Sequence, residues 1–238
     1  MGRFKSKQPP TEPVQFPLSK PNDSSCPPPQ MGMPPQQGMP PMEQQSQYNS
    51  QDWPTSFPKP MVGFDRDGVV IEWKNVIKRH EDVKWISGSL EAIRTLRLKG
   101  YKVMIFSDQP NISRRLLKPE DVDKLMSNFY MREFGLNGIF SIDGFLYNTS
   151  DDSRDQFAKP HTGMFQRMKQ MYKFDMKGGY YVGDAIEDVK MAQNGGAKPV
   201  LVRTGFGAKT EKENFKGINT KYKDVQIFDN LLDFANSL

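Results

Sequence analysis

The chain has 238 residues, 33 basic and 28 acidic side chains for a formal charge of +5, and a single cysteine. The surplus charge is modest and interspersed, which argues against the clustered stripe of a dedicated nucleic-acid binder, and Cys26 alone excludes an internal disulfide or a thiolate metal cluster. No stretch approaches the ~20 apolar residues of a membrane-spanning helix.

Fifteen of the 19 prolines fall in residues 1–60. Residues 1–58 are a Pro/Met/Gln-rich tail in which Gly-Met-Pro-Pro occurs twice. Such a segment cannot bury enough apolar surface to offset the entropy of ordering, so disorder with extended polyproline-like conformers is expected. A solvated spacer is the first reading, and an arm that binds a protein partner through aromatic grooves is the second. The tail has no signal-peptide apolar core, and a cytoplasmic location is expected. Met1-Gly2-Arg3-Phe4-Lys5-Ser6 meets the loose myristoylation pattern, a short and degenerate match.

From residue 59 onward the apolar residues come in short blocks. Residues 61–64 are a short apolar run ending at acidic residues, as a buried parallel strand would. Residues 89–99 place Leu90, Ile93 and Leu96 on one helical face, and Gly100 follows as a stop. Residues 101–106 form a second strand ending at Ser107. Residues 119–134 read as a helix with proline in its first turn, and 138–147 as an extended segment. A helix at 162–172, a strand at 180–182, a helix at 185–194 and strands at 199–202 and 225–228 follow, and the amphipathic 230–238 closes the chain. This alternation predicts an α/β domain over 59–238 with an open, mainly parallel Rossmann-like sheet and helices on both faces. Ligands of such sheets bind beyond the carboxyl ends of the strands.

Polar groups suited to phosphate chemistry stand at those ends. Asp65-Arg66-Asp67-Gly68 follows the first strand, Ser107 the second, and Gly183-Asp184 with Asp188 a later one, while Lys159-Pro160 precedes a helix. Asp65, Asp67 and Asp184 in one crevice would repel unless a cation or a shared proton relieved them. An oxygen-only donor set favours a hard cation, and beside a phosphate that means Mg²⁺. Lys159 and Ser107 would hold phosphoryl oxygens where transition-state charge is spread. A carboxylate nucleophile would divide the reaction into aspartyl-phosphate formation and hydrolysis. Each signal alone has a plainer reading: a calcium-type loop start, which Glu72-Trp73-Lys74-Asn75 does not continue, a turn serine, or a helix cap with Asp188 facing solvent. Their joint occurrence in this order is what carries weight.

These motifs resemble the haloacid dehalogenase superfamily. Asp65-Arg66-Asp67-Gly68-Val69, Ser107, Lys159 and Gly183-Asp184-Ala185-Ile186-Glu187-Asp188 match its four motifs in turn. The resemblance implies Asp65 as nucleophile, Asp67 as proton donor and then base, and Ser107 and Lys159 as phosphoryl ligands. It also implies Mg²⁺ on Asp65, the Asp67 carbonyl and Asp184, with Asp188 supporting Lys159 or the metal shell. The short span between Asp65 and Ser107 leaves no room for a cap domain. Within the capless subgroup, Lys159-Pro160-His161-Thr162-Gly163-Met164 and Val200-Leu201-Val202-Arg203-Thr204-Gly205 resemble histidinol-phosphate and heptose-bisphosphate phosphatases. Gly63-Phe64-Asp65 and Gly100 to Ser107 are similar to polynucleotide 3′-phosphatases.

Several residues depart from those relatives. Residues 147–158 contain neither Cys nor His, which argues against the zinc loop of the heptose enzymes, and Ala158 stands where they carry arginine. Asp108-Gln109-Pro110-Asn111 replaces their Asn-Gln and glycine, with Asn111 able to take the left-handed conformation. Arg114, Arg115 and Arg203 are candidate contacts for a second anionic group on the substrate. The expected activity is hydrolysis of a sugar phosphate or similar small metabolite. A nucleotide or polynucleotide 3′-phosphatase is the alternative, weakened by the lack of a kinase phosphate-binding loop and of a concentrated basic groove. A third reading is an interaction protein that uses the tail on an inherited scaffold, against which the intact motifs argue.

Overall fold

The computed structural model describes residues 60–128, 142–215, 222 and 224–238. The tail 1–58 and the far end of the helix expected over 119–134 lie outside the described residues.

β1 (Met61–Phe64) is buried at all four positions and lies at the centre of a six-stranded sheet. β2 (Lys102–Asp108), β3 (Gly144–Asn148), β4 (Tyr180–Gly183), β5 (Lys198–Val202) and β6 (Gln226–Phe228) complete it in the order β3-β2-β1-β4-β5-β6, with every pairing parallel. The order reverses at β1, so a crevice opens at its carboxyl end between β2 and β4. The register aligns Phe64 with Ile105 on one side and Val182 on the other. Asp65, Ser107 and Asp184 therefore follow at closely matched depths along one edge of the sheet.

Among the described residues, helices cover both faces of the sheet. Ala92, Ile93 and Leu96 of α1 (Ser89–Leu98), Val122, Leu125 and Met126 of α2 (Pro119–Asn128), and Leu231, Phe234 and Ala235 of α6 (Leu231–Ser237) pack in one core with Val62, Phe64 and Ile105. On the other face, Met164, Phe165 and Met168 of α3 (Gly163–Tyr172) and Met191 and Ala192 of α4 (Ile186–Asn194) meet Met61, Met104, Phe106 and Tyr181. Phe106, Phe165 and Tyr181 form a mutual edge-to-face cluster with centroids 4.9–5.9 Å apart. Gly63 is small because a Cβ there would press on the Phe106 ring at 2.8 Å.

Two elements lie outside the sequence reading. α5 (Gly207–Asn214) has only Gly207 and Thr210 buried, so it carries no apolar period to detect. Between β1 and α1 the chain forms a short hairpin: Ile71 bridges Trp85, and the Glu72 amide donates to the Lys84 carbonyl at 2.8 Å. No helix among the described residues is long and apolar enough to cross a membrane.

Candidate active site

The chain leaves β1 at Asp65, whose amide donates to the Val182 carbonyl at 3.0 Å. It then turns sharply: Gly68 has φ +85, its amide donates to the Ile71 carbonyl at 2.7 Å, and the Val70 and Ile71 amides return to the Arg66 carbonyl. A residue with a Cβ would be strained there. The turn sends Asp65 and Asp67 to different partners.

Asp65 faces Lys159, with Oδ1 2.9 Å from Nζ. The same ammonium lies 2.9 Å from Oδ1 of Asp188, and it is held above the Tyr181 ring at 5.8 Å. Asp188 is buried rather than facing solvent: its Oδ2 accepts from the Ala185 amide at 3.1 Å, capping α4. Asp184 Oδ2 accepts from the Phe206 amide at 2.8 Å, and its carbonyl accepts from Thr210 Oγ1 at 2.8 Å. Asp65, Asp184 and Asp188 offer carboxylate oxygens within 4.8 Å of one another.

Three carboxylates against one ammonium leave the cluster net negative in a buried place. Burial raises the Asp65 carboxyl well above its ordinary value, against the pull of Lys159 and with help from Asp188, Asp67 and Asp184. Burial, then Asp188, pushes Asp184 up to about 7. Burial opposes the charge on Lys159, but Asp188 and Asp65 outweigh it and hold the ammonium protonated well beyond its usual range. Such a site fits a hard cation, which would relieve the repulsion with the oxygen donors already present.

Asp67 belongs to a second group. Arg66, nearly fully buried, clamps both its oxygens through Nε at 3.1 Å and Nη2 at 2.8 and 3.1 Å. Gln109 Nε2 donates to Asp67 Oδ2 at 3.1 Å and to Ser107 Oγ at 2.8 Å, and Ser107 Oγ lies 3.4 Å from the same carboxylate oxygen. Asp108, whose carboxyl burial raises, accepts from Asn148 Nδ2 at 3.0 Å and faces the Lys159 amide at 3.4 Å. The Lys159–Pro160 peptide is cis.

The structure thus brings together Asp65, Asp67, Ser107, Lys159, Asp184 and Asp188. Arg66, Gln109, Asp108 and Tyr181 join them without having been singled out in the sequence. A detectable signal existed for Gln109, which stands two after Ser107 on a continuing extended segment and so shares its side. Elsewhere the placement differs from expectation. The left-handed residue of the loop after β2 is Arg115 (φ 59), not Asn111, whose Nδ2 instead anchors the loop to the Asn75 carbonyl at 2.5 Å. Arg114 reaches Asp151 at 3.4 Å, and Arg115 is exposed. Arg203 donates to Glu211 at 2.7 and 2.9 Å and to Asp229 at 2.5 Å, so its fork is already engaged by carboxylates.

A family model described as polynucleotide kinase 3 phosphatase matches residues 60–230. The D-glycero-beta-D-manno-heptose-1,7-bisphosphate 7-phosphatase of Neisseria meningitidis serogroup A is 28% identical over 181 residues, covering 74% of this chain and 92% of that protein. The enzyme of that name from Escherichia coli K12 is 28% identical over 163 residues, covering 65% and 85%. Among solved structures, the D,D-heptose 1,7-bisphosphate phosphatase from B. bronchiseptica, complexed with magnesium and phosphate, superposes with a TM-score of 0.66 at 24% identity, over 75% of this chain and 97% of that one. The corresponding enzyme from Burkholderia thailandensis gives 0.55 at 24% identity with the same coverage. At these identities the structural likeness speaks for the fold.

Proposed function

This chain belongs to the polynucleotide kinase 3 phosphatase family, a group of haloacid dehalogenase-type phosphatases, and from that premise we propose that it hydrolyses the phosphate monoester of a sugar or similar small metabolite through an aspartyl-phosphate on Asp65. The observation that carries this reading is Lys159, held 2.9 Å from both Asp65 and Asp188 within the carboxylate cluster at the carboxyl edge of β1. An ammonium in that place suits a phosphoryl oxygen and balances the nucleophile beside it.

In the first half-reaction an Asp65 oxygen attacks phosphorus, the bond to the ester oxygen breaks, and Asp67 gives that oxygen its proton. In the second, water attacks the same phosphorus, Asp67 takes the proton released, and the bond to Asp65 breaks to free inorganic phosphate. Lys159 and Ser107 hold phosphoryl oxygens in both halves. The Arg66 clamp orients the Asp67 carboxyl for both turns. Asp65, the Asp67 carbonyl and Asp184 would hold Mg²⁺, and Asp188 would position Lys159. Bound there, Mg²⁺ supplies charge neutralisation for the incoming phosphate. Residues 149–158 offer carboxylates and hydroxyls without thiolate or imidazole, and zinc has no part in this reading.

A sugar phosphate is favoured because the curated relatives that align over most of their length act on heptose bisphosphate by name. Arg114 and Arg115, in the loop after β2, are the arginines we assign to a second anionic group. We also propose the division at residue 58, with the tail as a spacer outside the catalytic domain. The test is phosphate release by the full chain with Mg²⁺ from sugar phosphates, nucleotides and 3′-phosphorylated oligonucleotides, beside an Asp65→Asn control. Release from the sugar class that vanishes in the control supports the proposal. A preference for the oligonucleotide overturns the substrate, and undiminished turnover in the control removes Asp65 from the chemistry.

A further inference from the structure

Four large apolar side chains are well exposed among the described residues, and two of them meet beside the carboxylate cluster. Trp73, 55% exposed, lies in the hairpin after β1, two residues beyond Ile71, and Phe206, 48% exposed, lies in the turn after β5. Their rings touch edge to face, with centroids 5.6 Å apart and planes at 62°. Phe206 is also the residue whose amide donates to Asp184 Oδ2 at 2.8 Å. The two loops are tied again where Thr204 Oγ1 donates to the Gly68 carbonyl at 2.7 Å. The aromatic pair therefore stands on the two segments that frame the carboxylate cluster.

Two aromatic rings left half in water contribute little to folding, and a paired exposed apolar surface marks a place of contact. In an edge-to-face pair, the ring that offers its edge keeps both faces uncovered by its partner. The substrate's geometry says what would use that surface. With phosphorus between Asp65, Lys159 and Ser107, the ester oxygen and the alcohol behind it must leave the crevice outward, past its rim. Aromatic faces select flat groups: the C–H face of a sugar ring or the plane of a nucleobase, and not a flexible acyclic polyol.

We propose that Trp73 and Phe206 form a subsite for the alcohol part of the substrate and give the enzyme a preference for ring-bearing phosphate monoesters. This rests on the phosphatase reading of the Asp65 site. The experiment measures kcat and KM for the full chain with Mg²⁺ on glycerol phosphate, a hexose phosphate and a nucleoside 3′-monophosphate, in wild type, Trp73→Ala, Phe206→Ala and Trp73→Phe. Thermal melts of each variant confirm folding. The wild type should prefer a ring substrate to glycerol phosphate, and each alanine variant should lose about tenfold of that preference, mainly through KM, as expected for a lost stacking contact. Trp73→Phe should restore most of it. Whichever ring substrate suffers the loss identifies the sugar or the nucleobase as the stacked group. A wild type indifferent to the ring, or alanine variants that lower all three substrates equally, would overturn the subsite and leave the phosphatase reading standing. A wild type that releases phosphate from none of the three would remove both.

Discussion

Asp65 and Asp67 are two residues apart, yet they belong to two differently built halves of one crevice. On the β4 side, Asp65 and Asp188 share one lysine with Asp184 close by, and burial resists the ionisation of Asp65 and Asp184. On the β2 side, Asp67 is held by a buried arginine and two neutral donors. The first half is short of positive charge, a deficit that a cation would relieve. The second is complete as it stands, fixed in geometry before any ligand arrives. Identical side chains acquire opposite requirements because the Gly68 turn aims them at different neighbours.

That contrast can be attacked by removing one member at a time. The largest effect is expected for Asp65→Asn, which removes the nucleophile and should lower phosphate release on the order of 10⁴-fold or more for every substrate. Asp67→Asn should cost about 10²–10⁴-fold with an alkyl ester, the usual contribution of a general acid and base. With p-nitrophenyl phosphate, whose leaving group needs no proton, it should still give a burst of nitrophenol near one equivalent. No burst would place Asp67 in the first half-reaction even for that ester. Next comes Arg66→Met, which leaves a mostly buried carboxylate without its charged partner and should cost about 3 kcal/mol of stability by denaturant titration. An unchanged midpoint would show that Arg66 does not offset the buried charge of Asp67.

Asp184→Asn should have the smallest effect and the opposite sign. Burial holds this carboxyl up to about 7, above its ordinary 3.8, so the metal-free fold is penalised as pH rises from the lower value towards the higher. The penalty is fully present above about 7. In EDTA at pH 8 the variant should therefore melt higher than wild type, by about 2–4 °C for each kcal/mol recovered, and the gap should close at pH 4. A lower melting temperature at pH 8 would mean that Asp184 does not oppose folding.

The strand ends were legible because an apolar run stops where chemistry begins: Asp65 and Asp184 follow β1 and β4 directly, and Ser107 ends the apolar run of β2 one residue before the strand itself ends. The open parallel sheet followed from the alternation of elements, whereas the strand order with β1 between β2 and β4 did not. What escaped notice was decided by three-dimensional burial. Arg66 reads locally as one charge among acids, and its near-complete burial depends on how the turn folds over it. Asp188, by contrast, was named by the resemblance as a support for Lys159, and the two lie 2.9 Å apart. α5 was missed because a short polar helix has no stripe for periodicity to reveal.

Gly205 (φ +56) lies directly against Gly68, and a Cβ on either would run into the Asp184 carboxylate. One wall of the cluster is therefore bare main chain. For redesign this separates two kinds of position. Residues 68 and 205 offer no room for variation, since any side chain would fill the space around Asp184. Residues 73 and 206 are about half exposed and have room for other side chains, so a library built on them would test the proposed choice of alcohol without touching the phosphate chemistry.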